Sequence, residues 1–152
     1  MRTGDMSGPE RTLLIVDDEA NIRKTLRRTL RSEGYRILTA DGPAQAFELL
    51  AQHPVGVILS GQRMPEMTGV EFLSRTRQIY PETVRIVLSG YADFEPVTNA
   101  INRGAAYKFL TKPWEDDLLR EHVREAFRHE AHEVGRVGLA VGAVSRGDAS
   151  SR

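Results

Sequence analysis

Residues 55–69 read VGVILSGQRMPEMTG, and this stretch decides the fold. Val55 to Leu59 is a short, unbroken apolar run that stops at Ser60, Gly61, Gln62 and Arg63. An apolar run of that length without polar alternation suits a strand covered on both faces, as in a parallel sheet. The same design recurs along the chain. Thr12 to Val16 stops at Asp17-Asp18-Glu19, and Arg36 to Ala40 stops at the turn Asp41-Gly42-Pro43. Val84 to Leu88 stops at Ser89, and Tyr107 to Leu110 stops before Lys112-Pro113.

Helical periodicity fills the gaps between these runs. Ile22, Leu26, Thr29 and Leu30 share one face, and Gly34 closes that helix. Ala44 to Ala51 forms a second helix, opened by Pro43 and ended near Pro54. Val70, Phe72, Leu73 and Ile79 mark a third, stopped before Pro81. Pro96 to Arg103 is a short fourth helix closed by Gly104. Leu118, Leu119, Val123, Ala126 and Phe127 give the last helix its apolar stripe. Five βα units with short connections imply a parallel sheet with helices on both faces. Such sheets bind ligands outside the carboxyl ends of their strands. Asp17, Asp18, Gly61, Ser89 and Lys112 all fall at or just past such ends.

Composition narrows the class. The 152 residues are 40% apolar and 28% charged, enough for one globular domain with a core. Formal net charge is zero, so no global field draws the chain to nucleic acid or to an anionic membrane. There is no cysteine, which removes disulfides, thiol catalysis and thiolate metal sites. No apolar stretch approaches the ~20 residues of a membrane helix, and residues 1–10 are polar with no secretory core. The expectation is a soluble cytoplasmic protein. Residues 1–10 are expected to form a flexible N-terminus and 11–130 the domain. Residues 131–152, with Gly135, Gly138, Gly142 and Gly147, are expected to be a frayed helix end and flexible tail.

Each polar candidate also has a plain structural reading. Two adjacent carboxylates can hold a hard cation, yet acidic pairs also cap helices. Ser89-Gly90 could be only a turn, and single lysines are mostly solvated. Their shared position on one sheet edge favours a pocket. The basic face of Arg23, Lys24, Arg27, Arg28 and Arg31 reads as solvated rather than as a nucleic-acid stripe. Arg120, Arg124 and Arg128 read equally well as helix-surface pairing or as part of a charged dimer face. His122, His129 and His132 invite a metal reading, but His129 and His132 lie in a fraying segment with no fixed carboxylate partner, so the three do not read as a metal site.

Four pieces then resemble the receiver domain of two-component response regulators: LLIVDDEANIR (13–23), VILSGQRMPEMTGVEFL (57–73), VRIVLSGYAD (84–93) and GAAYKFLTKPW (104–114). The last is similar to receivers often fused to cyclic-di-GMP phosphodiesterase domains. The resemblance covers about residues 11 to 130 and implies a flavodoxin-like, doubly wound five-stranded parallel sheet of order 2-1-3-4-5. It implies phosphorelay signalling, with a histidine kinase or another receiver as partner. A homodimer through the fourth helix, fifth strand and fifth helix is also implied. It matches Asp17 and Asp18 to the acidic Mg2+-binding pair, Asp18 touching the metal and Asp17 acting mainly through water. Arg63 matches the residue whose backbone carbonyl is a metal ligand. Ser89 and Lys112 match the phosphoryl-gripping hydroxyl and ammonium, with a cis bond to Pro113. Phe109 matches the switch aromatic.

Gly61 matches the phospho-acceptor aspartate, and it has no nucleophile. The expectation is a pseudo-receiver that is not an enzyme, does not take up phosphate and binds Mg2+ weakly or not at all. With one carboxylate gone, Lys112 is free to pair with Asp18. Ser60 should face away from the pocket as a strand neighbour, and Glu66 could reach in only by rearrangement. The alternative is an aspartate-nucleophile phosphohydrolase of haloacid-dehalogenase type using Asp17, Ser89 and Lys112. That class wants an acid two residues beyond the nucleophile for general acid-base work, and here the position holds Glu19 rather than aspartate. A third reading is a receiver that has lost its output domain.

Overall fold

The computed structural model describes residues 10–90 and 94–144. Five strands, β1 (Thr12–Val16), β2 (Arg36–Ala40), β3 (Val57–Gly61), β4 (Val84–Ser89) and β5 (Lys108–Thr111), form one parallel sheet of order β2-β1-β3-β4-β5. Between them run α1 (Ala20–Leu30), α2 (Pro43–Gln52), α3 (Gly69–Ile79) and α4 (Phe94–Asn102), and α5 (Asp116–Val144) follows β5. This is the flavodoxin-like, doubly wound arrangement expected.

Strand alternation divides the interior into two cores. Leu13, Ile15, Val57, Leu59, Ile86 and Leu88 pack with Leu26 and Leu30 of α1 and with Leu119, Val123 and Phe127 of α5. Leu14, Val16, Ile58 and Val87 pack with α2, α3 and α4 on the other face. Phe72 and Phe127 each anchor one core and are fully buried, a burial worth about 1.5–3 kcal/mol per side chain. Gly34 and Gly104 have positive φ, which lets the chain leave α1 and α4 sharply.

Three local expectations shift. β3 lies two residues later than Val55–Leu59, so Ser60 and Gly61 belong to the strand. β5 likewise begins at Lys108 rather than Tyr107. Ile79 and Leu118 are exposed, not core: Thr76, fully buried with its hydroxyl bonded to the Phe72 carbonyl, closes the stripe of α3, and Leu119 opens that of α5. α5 runs on through 131–144 as a helix end. Residues 1–9 and 145–152, where flexible segments are expected, lie outside the described residues.

Candidate functional site

Register brings the strand ends level. Val16 stands opposite Ala40 and Ser60, Gly61 opposite Leu88, and Ser89 opposite Thr111. Asp17, Gly61 and Lys112 continue the alternation of Ile15, Leu59 and Leu110, so all three emerge on the α1/α5 side.

Asp17 is the buried centre of this edge, only 1% exposed. Its Oδ1 accepts the Glu19 amide at 2.9 Å, and its Oδ2 accepts Lys112 Nζ at 3.0 Å. Its carbonyl accepts Arg23 Nη1 at 2.7 Å. Lys112 therefore pairs with Asp17, not with the expected Asp18, which is exposed. The reason is geometric: adjacent residues leaving a strand diverge, and only Asp17 shares Lys112's side.

Gly61 sits against this pair. A Cβ built on Gly61 would collide with Asp17 Oδ2, lie 3.1 Å from Asp17 Cγ and stand 3.6 Å from Lys112 Nζ. The Asp17 carboxylate thus occupies room that any side chain at 61 would need. Ser60 is buried with its hydroxyl donating to the Gly61 carbonyl at 2.9 Å. Glu66 Oε1 lies beside Gly42 at the N-terminus of α2 rather than near Gly61.

Ser89 is buried at the end of β4, and its carbonyl accepts the Lys112 amide at 3.0 Å. The Lys112–Pro113 bond is cis. Arg63 is exposed in the loop after β3, and half-buried Phe109 packs against the core on the α2/α3/α4 side.

Two further residues shape the loop after β3. Gln62 is buried; its Oε1 accepts the Val70 amide at 2.9 Å and its carbonyl accepts the Gly69 amide at 2.8 Å. A Cβ on Gly69 would run into the Gly61 carbonyl, so α3 starts hard against the end of β3 only because residue 69 is glycine. Thr68 and Glu71 add a reciprocal capping box. The Thr68-x-x-Glu71 spacing was a readable signal for that start. The Gln62 contact had none, because it closes through space.

The remaining charged candidates lie elsewhere. Arg120 donates to the Thr29 carbonyl and to Asp117, and Arg124 forms a two-point pair with Glu33. Both tie α5 to α1 and its following turn. Lys108 Nζ lies 3.0 Å from His122 Nδ1 and 2.9 Å from Glu125 Oε1. His129 stacks on Tyr107, and the side chain of His132 lies outside the described residues. Among the described residues no three acidic or histidine side chains gather as a metal site. None of their helices is long and apolar enough to cross a membrane.

Residues 13–124 match the family described as Response regulator receiver domain. The chain belongs to this family. The receiver is 47% identical over 121 residues to the hydrogenase transcriptional regulatory protein HoxA of Cupriavidus necator, covering 80% of this chain and 25% of that protein. It is 42% identical over 115 residues to HoxA of Bradyrhizobium diazoefficiens, covering 76% and 24%. The receiver thus spans about a quarter of the length of these curated relatives. Among solved structures it is similar to the signal receiver domain of an HD domain-containing protein from Pseudomonas fluorescens, with a TM-score of 0.80, 35% identity, and 85% of this chain and 95% of that one covered. It is also similar to the beryllofluoride-activated NtrC4 receiver domain dimer, with a TM-score of 0.73, 31% identity, and coverage of 78% and 98%.

Receiver domains work in two-component signalling with histidine kinases or other response regulators, generally bind Mg2+ at the acceptor site and are generally not catalytic themselves. The phosphohydrolase alternative finds no support in these relatives. Asp17 also makes a poor nucleophile here, since it is buried with both carboxylate oxygens engaged.

Proposed function

We propose that this receiver is degenerate: Gly61 stands at the acceptor position, the domain takes up no phosphoryl group there, and it acts by protein contact. One observation carries the reading. The end of β3 faces the Asp17–Lys112 pair, a Cβ at 61 would stand 3.6 Å from the lysine nitrogen, and residue 61 brings no oxygen. Asp17 and Asp18 with the Arg63 carbonyl would be the remaining metal ligands, Ser89 and Lys112 the remaining phosphoryl contacts, and Phe109 the switch aromatic. Mg2+ coordination calls for near-octahedral oxygen donors. This donor set does not fit that demand: one carboxylate is missing and another is bonded to a lysine. The reading is therefore weak or absent Mg2+ binding.

The partner is a histidine kinase or a second receiver, engaged without phosphoryl transfer. The relatives named as transcriptional regulators support a place in the control of transcription. One similar solved receiver comes from an HD domain-containing protein. The similarity to a receiver dimer supports self-association, and the surface of α4, β5 and α5 is the face proposed for it. Incubation with Mg2+ and acetyl phosphate, followed by intact-mass measurement, tests the central point. No adduct should form on the wild type, and Gly61→Asp should restore labelling. A stoichiometric phosphoryl adduct on the wild-type chain would refute the proposal.

A further inference from the structure

Removing a carboxylate from a phosphoryl pocket leaves both a void and a charge imbalance, and one side chain answers both. Asp17 Oδ2 lies in the space that a Cβ at Gly61 would need. The same oxygen accepts Lys112 Nζ at 3.0 Å, while Oδ1 accepts the Glu19 amide at 2.9 Å. Asp17 is almost wholly buried, whereas the Lys112 side chain keeps about a quarter of its exposure.

We propose that the Lys112 ammonium is the built-in counter-ion of this pocket, seated on Asp17 beside Gly61, and that it excludes Mg2+ by occupying the inner carboxylate. The inference rests on the reading of Gly61 as the lost acceptor position and adds that the metal is replaced rather than merely under-liganded. Two features give it physical force. A divalent ion held by Asp18 and reaching Asp17 through water would sit beside a fixed positive charge, and like charges in a partly desolvated site repel strongly. A magnesium ion must also shed water to bind a carboxylate directly, which it does reluctantly. The ammonium is already tethered, so it competes at high effective concentration.

The consequence is counter-intuitive: deleting a positive side chain should create metal binding. Trp114, the chain's single tryptophan, lies two residues from Lys112, is packed against the α1/α5-side core and donates its Nε1–H to Asp116. It reports on the pocket without labelling. MgCl2 titrations of the wild type, Lys112→Met and Lys112→Arg would follow Trp114 fluorescence and thermal unfolding together. The wild type and Lys112→Arg should show no saturable response. Lys112→Met should show one, with Mg2+ bound at least about tenfold more tightly than in the wild type, and adding Asp17→Asn should abolish it. If Lys112→Met does not fold alone, Mg2+ should restore its helical circular dichroism, and Lys112→Gln is read the same way. A saturable wild-type response as strong as that of Lys112→Met, or no response in either uncharged variant, overturns the proposal. Phosphoryl labelling of the wild type would instead overturn the acceptor reading, and the two results are measured separately.

Discussion

Gly61→Ala places the smallest possible side chain in the pocket and sets two opposing effects against each other. Glycine in a strand interior costs about 0.5–1 kcal/mol relative to alanine, so on backbone grounds alone the change stabilises. Its Cβ, however, would run into Asp17 Oδ2 and lie 3.1 Å from Asp17 Cγ. The carboxylate must turn, and it then gives up either the Lys112 ammonium or the Glu19 amide. A hydrogen bond to a charged group is worth roughly 1.5–3 kcal/mol. The quarter-exposed lysine end brings this loss down to about 1–2 kcal/mol through solvent screening. Loss outweighs gain, and Gly61→Ala should be less stable by about 0.5–1 kcal/mol, a fall in Tm of about 2–5 °C for a domain of this size. Urea unfolding of wild type, Gly61→Ala, Asp17→Asn and the double variant measures it as a cycle. In the Asp17→Asn background the alanine should be neutral or stabilising, because the charged contact is already gone. An alanine variant more stable than wild type, or an equal cost in both backgrounds, would refute the placement of Asp17 in the Gly61 void.

Other consequences follow from groups remote from the pocket. The Tyr35 hydroxyl is a buried side-chain polar atom without a hydrogen-bond partner, and its ring packs on Phe127 at 4.5 Å. Tyr35→Phe should therefore keep or raise stability, by up to about 1 kcal/mol, in a thermal melt. Burial pushes the Tyr35 phenol up to about 12, so in an ultraviolet alkaline titration one tyrosine of the native protein should ionise well after an exposed phenol. Glu33 and Glu130 should respond oppositely to pH. The hydrogen bond from Arg124 holds Glu33 below the usual carboxylate range, so its contribution is present at neutral pH and lost as pH falls through the lowered value. Glu33→Gln should destabilise at pH 7 and flatten the acid limb of a Tm-versus-pH profile. Desolvation raises Glu130, so its contribution is present at acid pH and fades as pH rises through the raised value. Glu130→Gln should raise Tm at pH 7 and leave it unchanged near pH 4.

The sheet could be read from the chain because strands buried on both faces must be continuous apolar runs, and five such runs alternate with helical stripes. What sequence could not supply was the side on which each edge residue emerges. Asp17 and Asp18 are neighbours with identical chemistry, and the choice of partner for Lys112 depends on the alternation of β1, β3 and β5 in their final register. The two-residue shift of β3 has the same origin. An apolar run marks where burial is greatest, whereas the strand continues as long as a neighbour accepts its hydrogen bonds. Ser60 and Gly61 stay in the ladder because Val87 and Leu88 stand opposite them. The arginines of α5 were ambiguous for a related reason. Their spacing shows that they share a helix surface, but only the positions of Glu33 and the Thr29 carbonyl show that Arg120 and Arg124 turn toward α1.

On the proposed reading of Gly61 as the acceptor position, these placements bear on how such a receiver keeps its shape. Three carboxylates at one sheet edge repel one another, and a lysine or a metal ion is needed to hold them. With glycine at 61 that repulsion falls, and the lysine meets the single buried carboxylate directly. The strand ends are then joined without metal or phosphate: β1 to β5 through Asp17 and Lys112, and β3 to α3 through Gln62 and Gly69. A restored aspartate at 61 would have to displace Asp17 from this arrangement as well as supply a nucleophile. Its labelling should therefore be slower in Gly61→Asp alone than in Gly61→Asp carrying a second change that loosens the hold on Asp17. Arg23→Ala, which removes the guanidinium from the Asp17 carbonyl, is that second change. Time-resolved intact mass with acetyl phosphate compares the two, and equal rates would show that the Asp17 clamp does not limit access to the restored site.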